Sequence, residues 1–309
     1  MKEIEYHTRV GVGQMPFQID FATGIVSLGS CFSDEVGQRL SDEGFHIEQN
    51  PFGTLYNPAS VASALRRMMY DSEIGIDDLV EYEGLWHSWH HHGSFSRPTA
   101  EECLEACNSR LHQAHRALKE ASLLLVTFGS AWVFELSSQH FVVANCHKLP
   151  QTNFVRRRMS VEDIVELWRP LMDELHACYP ALNVVFTVSP IRHIGDGLHG
   201  NQLSKSTLLL AIDQLVDQQL PPVQKKRKGQ SSPLPPPPSP FTLYFPSYEI
   251  VLDELRDYRF CDADMVHPSD LAVEVVWDRF QRVTMAPAIR EQAHFNRKQM
   301  KRQQHIPLH

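Results

Sequence analysis

The stretch "IVSLGSCFSDEVGQRL" (Ile25 to Leu40) decides how the rest of the chain is read. Ile25-Val26-Ser27-Leu28 is short, apolar and rich in β-branched residues, the pattern of a strand buried on both faces. Gly29 permits a tight turn at its end. A helical pattern follows, with Ser33 as the expected N-cap and Asp34 and Glu35 in the first turn. Strand, glycine turn and helix in immediate succession open a parallel α/β unit, in which sites form beyond the carboxyl ends of the strands. Two nucleophile types, Ser30 and Cys31, stand side by side at that end. Cys31 is expected just ahead of the helix N-terminus, where unpaired amides favour an anion. Such amides can lower a thiol pKa and hold an oxyanion.

Working outward, three more runs read as buried strands: Leu123 to Phe128, Val184 to Val188 and Thr242 to Phe245. Between them lie amphipathic stretches that predict helices over 58–69, 99–121, 160–177, 201–220, 247–255 and 270–283. Thr99 and Glu102 form a capping-box pattern at the start of the second of these. Alternating strands and helices predict an α/β fold, a mostly parallel sheet covered on both faces. "WHSWHHHGSF" and "VFELSSQHFVVAN" read as excursions from that core, the second as a hairpin turning at Ser137-Ser138.

The chain has 309 residues, 42% hydrophobic and 21% charged, which suffices for a sizeable core. A single domain over 1–285 is expected, followed by a basic tail over 286–309 that is helical or flexible. The segment 221–240, "PPVQKKRKGQSSPLPPPPSP", is rich in proline, serine and basic residues, cannot build a core, and is expected to be a disordered insertion. Its Lys225 to Lys228 run reads as a solvated linker, and its polyproline as a weak docking signal. The net charge of −8 argues against a nucleic-acid partner. No apolar run is long enough for a membrane span and the N-terminus lacks a secretory apolar segment. The six cysteines contain no CxxC pair, so reduced thiols and a cytoplasmic location are expected, with Cys103 and Cys107 on a buried helix face.

Near the other end, "CDADMVHPSD" sets Asp264 and His267 three residues apart, before Pro268. One loop can then supply an imidazole and the carboxylate that fixes its tautomer. With these residues in view, "LGSCFSDEVG" resembles the signature of the GSCFA family and is similar to the Gly-Asp-Ser-Leu block of the SGNH/GDSL hydrolases. "NPFGTLYNP" (Asn50 to Pro58) resembles the second block and "DMVHPS" the last. "TFGSAWVFE", "SPIRH", "NQLSKSTL" and "YFPSYEI" resemble further GSCFA segments. The resemblance implies a flavodoxin-like three-layer α/β/α sandwich. It implies Asp264 and His267 as triad members, and an oxyanion hole from the amides of Cys31 and Gly53. In this register Ser30 occupies the aspartate position and Cys31 that of the nucleophile. Gly37 falls on the motif's second glycine, favouring Cys31 with Ser30 as the alternative. The third block departs: Gly129-Ser130-Ala131-Trp132 carries no asparagine, so a third oxyanion donor must come from elsewhere. Asn145, Gln151 and His92 are the candidates.

Among the remaining polar residues, His87, His90, His91 and His92 would diverge on a strand, so no metal site is expected. His92, Asn145, Arg192 and His193 are the expected substrate contacts, and Lys205 is expected to meet an anionic group or solvent. The reading as a whole is an acyl-ester hydrolase or O-acyltransferase working through a covalent acyl-enzyme. It acts on a small-molecule or glycan acyl ester and requires no cofactor. Two other readings fit the same residues: a non-catalytic SGNH-like binding protein, and a redox-sensing Cys31 with a low thiol pKa.

Overall fold

The computed structural model describes residues 8–139, 141–216 and 240–304. In chain order its strands are β1 (Gly24–Gly29), β2 (Ile47–Gln49), β3 (Leu79–Tyr82), β4 (Leu85–Ser88), β5 (Ala121–Phe128), β6 (Trp132–Leu136), β7 (Val142–Val143), β8 (Phe154–Arg158), β9 (Asn183–Val188) and β10 (Thr242–Tyr244). Its α-helices are α1 (Cys31–Asp42), α2 (Pro58–Tyr70), α3 (Ala100–Glu120), α4 (Val161–Cys178), α5 (Gly197–Leu215), α6 (Ser247–Glu249), α7 (Asp270–Thr284) and α8 (Pro287–Gln304).

The four apolar runs form one parallel sheet, joined at its edge by β2, in the order β10-β9-β5-β1-β2. Counting only these strands along the chain, the order is 2-1-3-4-5, the flavodoxin-like arrangement of a three-layer α/β/α fold. Alternation along each strand divides the core in two. Val26, Leu28, Leu124, Val126, Val184 and Phe186 face a layer that includes α2, α4 and α5, with Trp168 at its centre. Ile25, Leu123, Leu125 and Val185 face α1 and α7, with Phe32 and Trp277. The chain leaves β1 for β2 on one side and returns as β5 on the other. The crevice at their carboxyl ends is therefore a topological switch point, where doubly wound sheets bind ligands.

Several elements differ from expectation. The helix after Gly29 begins at Cys31 with Ser30 as N-cap, not at Ser33. The Ser30 amide still pairs with the Thr127 carbonyl (3.1 Å) while its own carbonyl accepts from Ser33 (2.7 Å). The strand thus passes into the helix through Ser30 alone, and Ser33 is buried within the first turn. The Thr99 hydroxyl accepts from the Glu102 amide (3.2 Å), which supplies the N-cap half of the expected capping box. α5 starts at Gly197, ahead of the expected Asn201. The 247–255 stretch is one α-turn that passes into a π-turn over Ile250–Glu254. The hairpin of β6 and β7 gains a third strand, β8, on its other side. Strand β4 stops at Ser88, so face alternation does not govern His90, His91 and His92.

The histidine-rich segment builds a buried polar network instead. His90 bonds Asp78 (3.0 Å) and Arg67 (2.9 Å), His91 bonds Ser88, and His147 stacks on His87 with ring centroids 4.6 Å apart. Helix α8 docks on the body through buried Ala293, the Arg297–Glu274 ion pair and a bond from Asn296 to the Glu43 carbonyl (2.9 Å). Apart from Pro240, the proline-rich stretch 221–240 with Lys225 to Lys228 lies outside the described residues. No helix among the described residues is long and apolar enough to cross a membrane.

Candidate active site

The end of β1 is fixed by its neighbours. Gly29 has φ +144°, and a Cβ there would lie 2.1 Å from the Thr127 carbonyl oxygen. Only glycine lets β1 and β5 stay paired through the turn. Its amide donates to Asn50 Oδ1 (2.9 Å), and Asn50 Nδ2 donates to Asp34 Oδ1 (2.6 Å). Asp34 also accepts from Thr54 (3.0 Å), so one carboxylate on α1 gathers the loop that carries Gly53. Asn50 holds φ +38°, a conformation that asparagine tolerates better than most residues.

Ser30 and Cys31 point to different places. Ser30 is 1% exposed and its hydroxyl is buried with no hydrogen-bond partner. Cys31, the first residue of α1, is half-buried and lines an open cleft of about 290 Å³ with His267, Ile191, Pro268 and Val273. Burial first, and then Asp34, raise the Cys31 thiol above its ordinary value; the amides of Cys31 and Phe32 and the Lys205 ammonium act the other way. The expectation of a thiol lowered by the helix N-terminus is therefore corrected: amides are present, but desolvation outweighs them.

The His267 loop is a closed turn. Asp264 Oδ1 accepts from the amides of Val266 (2.8 Å) and His267 (2.9 Å), and Oδ2 pairs with His267 Nδ1 (2.6 Å). The His267 amide and side chain hold the Asp264 carboxyl down to about 2. Nδ1 is thereby committed to the carboxylate, and Nε2 has no protein partner among the described residues. Met265, between them, sits in the left-handed region at φ +59°. The Arg192 amide donates to the Val266 carbonyl (3.3 Å) and ties this loop to the one after β9.

The remaining expected residues divide. The Gly53 amide donates to the Asn50 carbonyl (2.7 Å), which closes its turn and leaves it unavailable to a ligand in this conformation. The amides of Gly129 and Ser130 both end on the Tyr56 carbonyl (2.8 Å each). His92 lies against Gly53, where a Cβ would come within 2.4 Å of the His92 Cβ, but its Nδ1 is occupied by Ser94. Asn145 accepts from the His147 amide (2.8 Å), a local loop contact, and Gln151 opens an exposed 3-10 turn. Neither Asn145 nor Gln151 is brought to Cys31 by any contact among the described residues. The Arg192 guanidinium makes no hydrogen bond or ion pair among the described residues. His193 is brought in: its ring meets Tyr56 edge-on, with centroids 5.8 Å apart, and its Nε2 is buried without a partner. Burial, and next Lys205, push it down to about 4.

Sequence reasoning missed Asn50 and Tyr56, both inside the "NPFGTLYNP" block, and misread Lys205. Lys205 meets neither an anion nor solvent: it is 1% exposed and its Nζ donates to main-chain carbonyls. A lysine flanked by Ser204 and Ser206 on a helix reads as solvated; only the packing of α5 across the strand ends buries it.

A family model described as the GSCFA family matches residues 24–280. The chain belongs to the GSCFA family. The matched span runs from the first residue of β1 into α7, so it takes in Ser30, Cys31, the Gly53 loop, Lys205, Asp264 and His267. No curated protein and no solved structure is matched by this GSCFA chain.

Proposed function

We propose that this GSCFA protein is an acyl-transfer enzyme of SGNH type that hydrolyses an acyl ester or passes its acyl group to a second hydroxyl. His267 Nε2 takes the proton of Cys31, and Asp264 holds the imidazole and stabilises the imidazolium. The thiolate attacks the ester carbonyl while the amides at the start of α1, Cys31 among them, face the developing oxyanion. The imidazolium returns its proton to the leaving alcohol. Water or an acceptor hydroxyl, deprotonated by the same histidine, then displaces the thiolate.

The observation that carries this reading is the Asp264–His267 pair at 2.6 Å, in a turn whose histidine shares a cleft with Cys31. The sealed Ser30 hydroxyl favours Cys31 as nucleophile. The raised thiol calls for a general base and runs against a redox sensor, which needs a low-pKa thiolate. One observation favours a second reading, a binding protein without chemistry: the amides of Gly53, Gly129 and Ser130 are already bonded, leaving few oxyanion donors.

Intact-protein mass spectrometry after incubation with a panel of acyl esters separates the two. The enzyme reading expects an acyl adduct on Cys31, formed at least about 100-fold more slowly in His267→Ala. An adduct confined to Ser30 would refute the choice of nucleophile, and no adduct with any ester would favour the binding protein.

A further inference from the structure

Behind the cleft lies a second, smaller space that the mechanism above does not use. It sits between the sheet and the α1 and α7 layer and measures about 30 Å³. Leu125 and Val185 bound it on the sheet side, Val276 and Trp277 on the helix side. Phe32 borders both spaces. Its neighbours divide: Cys31 lines the cleft and Ser33 the cavity. On α7, Val273 lines the cleft, and Val276, on the same helix face, lines the cavity. Phe32, 1% exposed, is therefore the partition between them.

The cavity follows from small residues at the strand ends. Gly29, Thr127 and Thr187 form one row across β1, β5 and β9. Gly29 supplies no side chain and the threonines only short ones, and α1 adds Ser33. Polar groups at its wall are turned to other work. The Thr187 hydroxyl donates to the Phe245 carbonyl (2.7 Å), and the Trp277 indole N–H to Glu43 (2.8 Å). The Ser33 hydroxyl is buried and has no partner. Interiors hold few voids of this size, and the walls of one forfeit the contacts that filling it would supply. Its volume is about the share of one liquid water, close to that of a single methyl group.

We propose that this cavity is the far end of an acyl subsite, in which the terminal methyl of a short acyl chain lodges after passing Phe32. The proposal rests on the reading of Cys31 as the nucleophile that carries the acyl group. It names the substrate class: esters of short, unbranched, uncharged acids. A charged acyl end would lose its hydration among Leu125, Val276 and Trp277. A long chain has no room. Phe32 is then the specificity-determining residue: its ring turns aside to admit the chain, and a smaller residue would join the two spaces.

The test uses n-alkyl methanethiosulfonates, which transfer an alkylthio group to a thiolate and release methanesulfinate. A Cys31 adduct then sets an alkyl chain where a thioester would set the acyl chain. Methyl, ethyl, propyl and hexyl reagents are compared on the full chain by peptide mass spectrometry. Each rate at Cys31 is divided by that at exposed Cys178. The ratio should rise about fourfold for each methylene buried, up to propyl, and fall by at least as much for hexyl. Ser33→Val and Val276→Ile each add about one methyl group, from opposite walls, and should flatten the rise to within about twofold. Phe32→Ala should move the maximum to hexyl. A wild-type ratio that does not rise with chain length, as for a void that holds only water, overturns the proposal, and this comparison needs no variant to fold. A rise that survives in folded Ser33→Val and Val276→Ile overturns it too, because the chain would then lie elsewhere in the cleft. So does an unmoved maximum in folded Phe32→Ala. No ester is used: an acyl adduct with a flat profile sinks this proposal alone, and a chain-length profile without any acyl adduct sinks the proposed function.

Discussion

Replacing Asn50 by alanine should cost far more than an ordinary loop substitution, because one side chain carries three separate burdens. Its Oδ1 is the acceptor for the buried Gly29 amide (2.9 Å). Leaving that amide unpaired costs about 1–3 kcal/mol. Its Nδ2 donates to Asp34 (2.6 Å), a bond to a charged group worth roughly 1.5–3 kcal/mol. Its φ of +38° would place an alanine in the left-handed region, at about 1 kcal/mol or more. The contributions share one site and do not add in full, so a net loss of about 3–5 kcal/mol is expected. Urea unfolding followed by fluorescence of the buried Trp168 and Trp277 should show a lower midpoint at unchanged slope. Asn50→Gly removes only the backbone burden and should recover about 1 kcal/mol of the loss. Asn50→Asp keeps the acceptor for Gly29 but sets a carboxylate against Asp34, and should fall between wild type and alanine. An Asn50→Ala protein within about 1 kcal/mol of wild type would show that Asn50 does not hold this loop.

Gly29→Ala meets the backbone oxygen of Thr127 at 2.1 Å, a clash no rotamer can relieve; it should cost more than about 4 kcal/mol or prevent folding, as circular dichroism and thermal melting would reveal. His147, 6% exposed, is pushed down to about 4, chiefly by burial. Its folded pKa lies below the unfolded value, so its contribution is complete above about pH 6.5 and is lost as pH falls from there toward 4. Urea titrations should show a decline of up to about 3 kcal/mol across that window, flatter in His147→Asn, and a pH-independent wild type would contradict the assignment. Native thiol mapping with N-ethylmaleimide should label exposed Cys178 first and leave buried Cys103 and Cys107 untouched until unfolding; early labelling of either buried thiol would contradict the packing of α3.

The central strands were legible because burial on both faces leaves an unbroken apolar signature, as in Leu123 to Phe128. The peripheral strands were not. Ile47-Glu48-Gln49 is an edge strand whose Glu48 is buried against Arg110, and polar pairing of that kind has no periodic trace. Strand β8 carries three successive arginines in place of an apolar run, and Arg156 stacks over Trp132 with its guanidinium carbon 4.1 Å from the ring centroid. A helical pattern also cannot tell an α-turn from the π-turn at Ile250–Glu254. At the site, the Asp264–His267 pair was visible because both partners lie within one turn. Asn50 and Lys205 were not, since their partners Gly29, Asp34, Gly129 and Ser189 come from other elements.

The two halves of the Asp264 carboxylate have separate clients: Oδ1 folds the turn and Oδ2 steers the imidazole. Natural selection acting only on a well-formed loop would keep the aspartate, but it would have no reason to keep the ring of His267, whose part in the turn is played by its main chain. In a lineage drifting from chemistry toward mere binding, the histidine should be lost first while the aspartate lingers. On the proposed mechanism, His267 and not its partner is the residue whose replacement would mark a descendant as a binding protein.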